Sequence, residues 1–375
     1  MKIKTFIKLG DICDISAGQG APQGDSNYCD NGTPFVKAGN LIELLQGKNE
    51  TDIQKVSEDV AKKHKLKKYT AGSILFAKSG MSCMKGYVYQ LKNDSYVVSH
   101  LAIVKPIKDS SDYIEYCLRH IKPNSLVKDE AYPSISLQDI SNLKIPLPSL
   151  EEQIKISKQL YICTQIINKH KKQLERYDTL IKSRFIEMFG TLNNNNYDIV
   201  KIGDVCSLIK DGTHQTPNYT DNIENGFKFL SSKDIMTKKI DWTNIKYIPG
   251  DLHEKLYSTI KPQRNDILMS KNGVNYGVAA VNDTDEIFDI YVSLALLRPT
   301  KLINPVFFRC VINSQETKIQ FDRSIKGIGV PNLHLSEIKK TKIILPPLTL
   351  QNKFADFVQQ IDKSKFEYTY TGVAA

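Results

Sequence analysis

The run Asp211-Gly212-Thr213-His214-Gln215-Thr216-Pro217 gathers a carboxylate, an imidazole, an amide and two hydroxyls into one short polar stretch. Such a loop can bring backbone N–H groups against phosphate oxygens, and a glutamine such as Gln215 can pair bidentately with an adenine edge. The same residues also suit a plain turn held by the side chains of Asp211 and Thr213. Two further stretches, Lys78-Ser79-Gly80 and Lys271-Asn272-Gly273, each place one cation and a glycine after an apolar run. Each suits a phosphate contact or an ordinary hairpin turn. Gln19, Lys37, Lys233 and Lys326 are further candidates of this kind, although a single surface lysine is usually only solvated.

Catalytic signatures are missing. No GxxxxGK[ST] phosphate loop occurs, and the glycines of GQGAPQG (18–24) are not spaced as GxGxxG. HExxH and GxSxG are absent. So is the Asn-Pro-Pro-Tyr tetrapeptide of adenine methyltransferases, which NPVFF (304–308) approaches without the second proline. The seven cysteines include no CxxC pair, so neither a zinc site nor a redox pair is expected. Scattered free thiols suit a reducing cytoplasm. The chain has 51 Lys and Arg against 41 Asp and Glu, a formal net charge of +10. That surplus favours a polyanionic partner, because neutralised phosphates release counterions, although a soluble protein can be basic without one. The start, MKIKTFIKLGDIC, has no long apolar stretch and no run reaches 18 apolar residues, so neither a signal peptide nor a membrane span is expected. Binding, not catalysis, is the expectation.

The candidate stretches recur because the chain repeats itself. KLGDIC (8–13) returns as KIGDVC (201–206), 193 positions later (201 − 8). FVKAGNL (35–41) is answered by FLSSKDI (229–235), GSILFAKSG (72–80) by NDILMSKNG (265–273), and SHLAIVKP (99–106) by VSLALLRP (292–299). PSISLQDISNLKIPLPSLEEQ (133–153) meets PNLHLSEIKKTKIILPPLTLQ (331–351) at an offset of 198 (331 − 133). A chain of 375 residues has room for two or three domains, and a period this long makes each copy a domain rather than a solenoid element. Within each copy, SILFAKSG and DILMSKNG, GYVYQL and YGVAAV, and the two runs that end in proline read as short strands. Residues 111–121 and 304–322 read as helices. Each copy is therefore expected to be a mixed α/β globule.

Between the copies, residues 151–189 contain neither Gly nor Pro. Ile156, Leu160, Cys163, Ile167, His170, Leu174, Tyr177 and Ile181 recur in alternating steps of four and three, the heptad of a coiled coil. Glu151 and Glu152 suit the start of such a helix and Gly190 its end. At ~1.5 Å per residue it would be about 58 Å long. Residues 350–366 offer Phe354, Val358 and Ile361 at the positions of Ile156, Leu160 and Cys163, but at the same rise that helix is only about 25 Å long. A partner subunit is one way to cover the remainder. His170 is expected to be a polar register-setter or partner contact in the stripe rather than a ligand.

Together, DGTHQTP (211–217), GFKFLSSKDI (226–235), NDILMSKNG (265–273) and IILPPLTLQNKF (343–354) resemble the specificity subunit of type I DNA restriction–modification systems. KLGDICDISAGQG (8–20), FVKAGNL (35–41), GSILFAKSG (72–80) and IPLPSLEEQIKI (145–156) match in the first copy, so the resemblance covers nearly the whole chain. It implies a mixed α/β fold: two homologous target recognition domains separated by long antiparallel coiled-coil helices, a pseudo-twofold internal repeat. The corresponding segments are recognition domains at 1–148 and 191–347, a long spacer helix at 149–190, a shortened second helix at 348–368 and a frayed tail at 369–375. The family's second helix is usually as long as its first, and here it is not. The resemblance further implies a non-catalytic, cytoplasmic subunit with no metal or cofactor of its own. It would bind double-stranded DNA, each domain reading half of a split site, and dock two methyltransferase (modification) subunits and restriction/translocase subunits. S-adenosylmethionine, ATP and magnesium would belong to those partners. The copies differ most between shared phrases, as in QGAPQGDSNYCDNG against HQTPNYTDNIENG, which suits two different half-sites. Two such domains on one face of a duplex need a separation near one helical turn, ~34 Å, or a multiple of it, which a stiff helix pair can hold and a flexible linker cannot. The alternative is a free-standing tandem-repeat DNA-binding regulator without catalytic partners.

Overall fold

The computed structural model describes residues 6–194, 196–325 and 330–371, with side chains as far as 365. The chain divides into two compact units, Met1–Asn168 and Lys169–Ala375.

In the first unit the apolar run Ile74–Ala77 is buried along its whole length because it lies inside a four-stranded antiparallel sheet. The order is Cys13–Ala17, Leu101–Pro106, Ile74–Ala77, Val88–Gln90. A smaller sheet orders Lys55–Val56, Thr33–Val36 and Tyr96–Val97, the last two parallel. Phe6–Lys8 pairs with Lys144–Pro146 and ties the two ends of the unit together. The second unit repeats all three arrangements. Its large sheet orders Cys206–Asp211, Leu294–Pro299, Ile267–Ser270 and Ala279–Val281; its small sheet orders Lys246–Ile248, Phe227–Leu230 and Phe288–Ile290. Asp198–Lys201 pairs with Lys342–Leu345.

The duplication extends to register. Phe35 faces Tyr96 in the small sheet of one unit, and Phe229 faces Asp289 in that of the other. Cys13 and Cys206 pair with Pro106 and Pro299, but Ala17 and Asp211 pair with Ala102 and Ala295. The offset thus grows by one along this strand, and a β-bulge between Cys206 and Leu208 absorbs the extra residue.

A buried glutamine anchors each interdomain-type helix. Gln153 accepts from the Ser110 N–H at 3.0 Å and donates to the Pro148 carbonyl and to Asp109. Gln351 accepts from the Asn304 N–H at 2.8 Å and donates to the carbonyls of Leu302 and Pro346. Each amide thereby satisfies backbone groups that the turn before the helix would leave buried and unpaired.

The long helix runs Leu150–Phe189, 40 residues. Ser149 and Glu152 form a reciprocal cap at its start, and Gly190, at φ 71°, ends it in the left-handed region. The second helix runs Leu348–Thr371, 24 residues. It is helical through 369–371, where fraying is expected from the absence of heptads; 372–375 lie outside the described residues. Phe354 packs on Phe185 and Phe189, and Lys365 meets Asp178 at 2.6 Å. The second helix therefore runs antiparallel to the C-terminal half of the first.

Its cover explains the burial along the heptad stripe. Phe354 and Val358 are fully buried, while Ile361, Leu174, Tyr177 and Ile181 are half-buried. Ile156 packs against the core of the first unit, and His170 is half-buried. Leu160 and Ile167 remain 39% and 53% exposed, so the middle of the stripe is uncovered within this chain. No helix among the described residues is long and apolar enough to cross a membrane.

Residues 304–322 form two helices instead of the expected one, Pro305–Ile312 and Gln315–Ser324. The break lies at Asn313 and Ser314. The Asn313 amide bonds both backbone groups of Ala279, and the Ser314 hydroxyl caps the second helix through the Thr317 N–H.

Candidate nucleic-acid interface

In each unit three segments converge at one end of the large sheet. In the second unit the 212–216 loop leaves the strand Cys206–Asp211 and lies on residues 290–294. Gly212 donates to the Leu294 carbonyl and Thr213 to that of Ile290, while Val292 donates back to Thr213. A Cβ on Gly212 would sit 2.3 Å from the Ile290 oxygen, so only glycine permits this approach. Pro217 is buried and anchors the far end, which leaves His214, Gln215 and Thr216 exposed. The turn at Lys271-Asn272-Gly273 is the second segment, and residues 331–333, which bond to it, are the third. Lys271 donates from its backbone to Ser293, Leu333 donates to Lys271, and Gly273, at φ 82°, donates to Pro331.

The first unit has the same frame. Gly18 donates to Leu101, Gln19 donates to Val97, and Ser99 donates back to Gln19. Lys78 donates to His100, Ile135 donates to Lys78, and Gly80, at φ 74°, donates to Pro133. The Ser79 hydroxyl lies 2.9 Å from His100 Nδ1.

Several candidate side chains do other work than their positions suggest. Lys271 is buried, and its ammonium meets Asp211 Oδ2 at 2.8 Å, so it braces the 212–216 loop from beneath rather than projecting outward. His214 Nε2 is 3.6 Å from the same carboxylate. Asp211 Oδ1 and Asn272 Oδ1 are buried without a hydrogen-bond partner. Gln19 is also turned inward: its amide donates to the Lys65 carbonyl and accepts from the Lys67 N–H. Lys37 is half-buried, donates to Gln54 at 2.6 Å and lies 4.4 Å above the Tyr28 ring. Lys233 is exposed, 3.9 Å from Asp234. Lys326 lies outside the described residues.

Against the second unit's small sheet, His253 Nδ1 of the helix Gly250–Tyr257 meets Asp289 Oδ2 at 2.7 Å, and the imidazole stacks on Phe227 with centroids 3.6 Å apart. Burial pushes the Asp289 carboxyl up, opposed by the bond to His253. Both groups are enclosed, so the pair serves the packing of this sheet. The cationic residues that motif spacing does not single out are Lys62, Lys63, Lys65, Lys67 and Lys68. The signal for them is composition alone, five lysines within seven residues.

The family model described as "Type I restriction modification DNA specificity domain" matches residues 1–176 and again 194–371. Similar proteins include two from Methanocaldococcus jannaschii. The type I restriction enzyme MjaVIII specificity subunit is 23% identical over 78% of this chain and 70% of its own length. The MjaIX specificity subunit is 24% identical over 94% of this chain and 85% of its own. The crystal structure of a type I restriction–modification system S subunit from M. genitalium aligns with 99% of this chain and 92% of its own at a TM-score of 0.57, with 13% identity, a likeness of fold. With the same family model matching both halves of a chain whose two units share strand order and register, this protein belongs to the type I restriction–modification DNA specificity subunits, the recognition rather than the catalytic components of those systems.

Proposed function

We propose that the chain reads a bipartite DNA site, one half with the converging loops of each unit, and that the long helix sets the spacing between the halves. The observation that carries this reading is a repeated backbone frame with different side chains on it. Gly18-Gln19, Lys78-Ser79-Gly80, His100 and Ser134 of one unit correspond to Gly212-Thr213, Lys271-Asn272-Gly273, Ser293 and Asn332 of the other. Phosphate contacts to the frame position a duplex, while the side chains that vary distinguish bases. In the second unit the exposed His214, Gln215 and Thr216 are assigned to DNA contact, with Gln215 as the adenine reader.

Leu160 and Ile167 are exposed on one face of the long helix and Ile162 and Ile166 on the opposite face, with Tyr161 between them, which supports docking of modification subunits around this part of the helix. Restriction subunits complete the assembly, and S-adenosylmethionine, ATP and magnesium are assigned to these partners, acting in the cytoplasm. Sequencing of methylated adenines in the host genome, with and without the gene, tests the reading. A split motif should vanish on deletion, and an unchanged pattern refutes it. Insertion of one heptad after Asn168, beyond these docking residues, lengthens the helix by about 10.5 Å, close to three base pairs at ~3.4 Å each. The gap within the motif should grow while its half-sites stay the same.

A further inference from the structure

We propose that the lysines of residues 62–68 are the protein's main sequence-independent grip on the DNA backbone, and that the second unit has no equal to it. This rests on the DNA-reading role above and names where its phosphate contacts are concentrated.

The asymmetry is visible at matched positions. Residues 58–68 hold five lysines and two acids, whereas residues 251–261, 193 positions later (251 − 58), hold two lysines and two acids. Lys65 and Lys67 are replaced by Ser258 and Ile260. The correspondence is structural, because both segments form the short helix after the small sheet's edge strand, Glu58–Lys63 in one unit and Gly250–Tyr257 in the other.

The first unit's segment is built as a presentation loop. Lys65 holds φ 53°, a left-handed conformation that a lysine adopts only at a cost. The Gln19 amide clamps both sides of it, through the Lys65 carbonyl and the Lys67 N–H. The lysine loop is thereby tied to the Gly18-Gln19 segment, one of the three that converge at the candidate DNA-reading end. Lys67 lies over the Tyr69 ring at 5.5 Å and Lys68 over the Tyr96 ring at 5.9 Å. Lys62, Lys65, Lys67 and Lys68 line one cavity of about 440 Å³ with Tyr96 and Glu58. All five lysines are exposed, and no ion pair among the described residues engages any of them. Unpaired cations clamped beside a base-reading loop fit phosphate oxygens, which flank every base edge.

In the second unit the same place carries fewer cations. Asp289 stands where Tyr96 does, each facing the matching phenylalanine of its small sheet, and it binds the buried His253. The frame lysines show the same bias. Lys271 is neutralised by Asp211, whereas Ala17 occupies the matching strand position in the first unit.

The test uses the full chain assembled with its modification subunits and a fluorescent random-sequence duplex, titrated between roughly 50 and 200 mM salt. The Lys65→Gln/Lys67→Gln/Lys68→Gln variant should lower the slope of log K against log salt by about 2.7, at ~0.9 per phosphate contact. It should weaken random and target duplexes by the same factor and leave the methylated motif unchanged. The matching Arg variant should keep the parental slope, and Lys255→Gln/Lys261→Gln in the second unit should not alter it. A parental slope in the triple Gln variant overturns the proposal and leaves the DNA-reading role standing. An Arg variant that fails like the Gln variant also overturns it, as does loss of modification subunits at unchanged salt slope, which would mark a protein-docking patch. An assembly whose parental form ignores duplex DNA refutes both the proposal and the role beneath it.

Discussion

Lys271→Met gives the sharpest test of how the second unit's loop is held. Lys271 is 4% exposed, and its ammonium lies 2.8 Å from Asp211 Oδ2. The other carboxylate oxygen is buried and has no hydrogen-bond partner. Removing the cation therefore leaves the carboxylate, in a site largely shut off from water, with only the exposed His214 imidazole 3.6 Å away, at a cost of about 3–5 kcal/mol. For a unit of this size that is a fall in Tm of roughly 6–20 °C, at about 2–4 °C per kcal/mol. Removing both charges by Asp211→Ala/Lys271→Met abolishes the penalty with its cause, so the double variant should fall within about 1.5 kcal/mol of the parent. With Asp211→Ala as the other single variant, the double-mutant cycle then shows a coupling of at least about 1.5 kcal/mol, to which the cost of Asp211→Ala adds. The chain's single tryptophan makes the assay local: Trp242 belongs to the second unit and packs edge-on against Phe288 at 5.6 Å. Urea titrations followed by tryptophan fluorescence report that unit alone. A Lys271→Met cost below about 1 kcal/mol, or a double variant no more stable than that single one, would refute the reasoning.

Gln351→Ala strips partners from the Asn304 N–H and from the carbonyls of Leu302 and Pro346. It should cost about 2–4 kcal/mol in the same fluorescence titration, and a loss under about 0.5 kcal/mol contradicts the anchoring role. Glu50 of the first unit accepts four hydrogen bonds, from the Lys92 and Asn93 N–H groups, the Asn93 amide and the Tyr89 hydroxyl. Glu50→Gln turns an acceptor into a donor facing donors, so the Lys92 and Asn93 amides should exchange about 30-fold or more faster, equivalent to about 2 kcal/mol; unchanged protection argues against it. Cys13 and Cys206 have thiols pushed up to about 12, by burial first and then by nearby aspartates, whereas Cys29 and Cys163 are exposed. With iodoacetamide near pH 8 the folded chain should label at Cys29 and Cys163 and spare Cys13 and Cys206, whose thiolates become populated only as pH approaches their raised values. Peptide mass spectrometry reads the result, and early labelling of Cys13 contradicts the burial.

The 193-residue echo, the strand runs and the gap-free helix are all legible in the chain because each is a local period or a self-comparison. Secondary structure follows such periods wherever an apolar face has something to cover it. The glycine of DGTHQTP is likewise readable, as is the exposed triplet after it, since a polar run between a strand and a proline has little apolar surface to bury. Three features were decided elsewhere. Lys271 and Lys78 occupy the same turn in matching phrases, yet an aspartate two strands away in the sheet draws only one of them into an ion pair. Gln19 looks like a free amide until the fold brings residues 65 and 67 against it. Asn313 interrupts a helical pattern because a strand more than thirty residues earlier offers its amide a better partner. By itself the sequence determined the repeat, the strands and the rod, which depend on neighbours along the chain. Tertiary structure alone decided which polar side chains face outward, because a buried charge or amide takes its orientation from the partner opposite it, and that partner arrives only on folding.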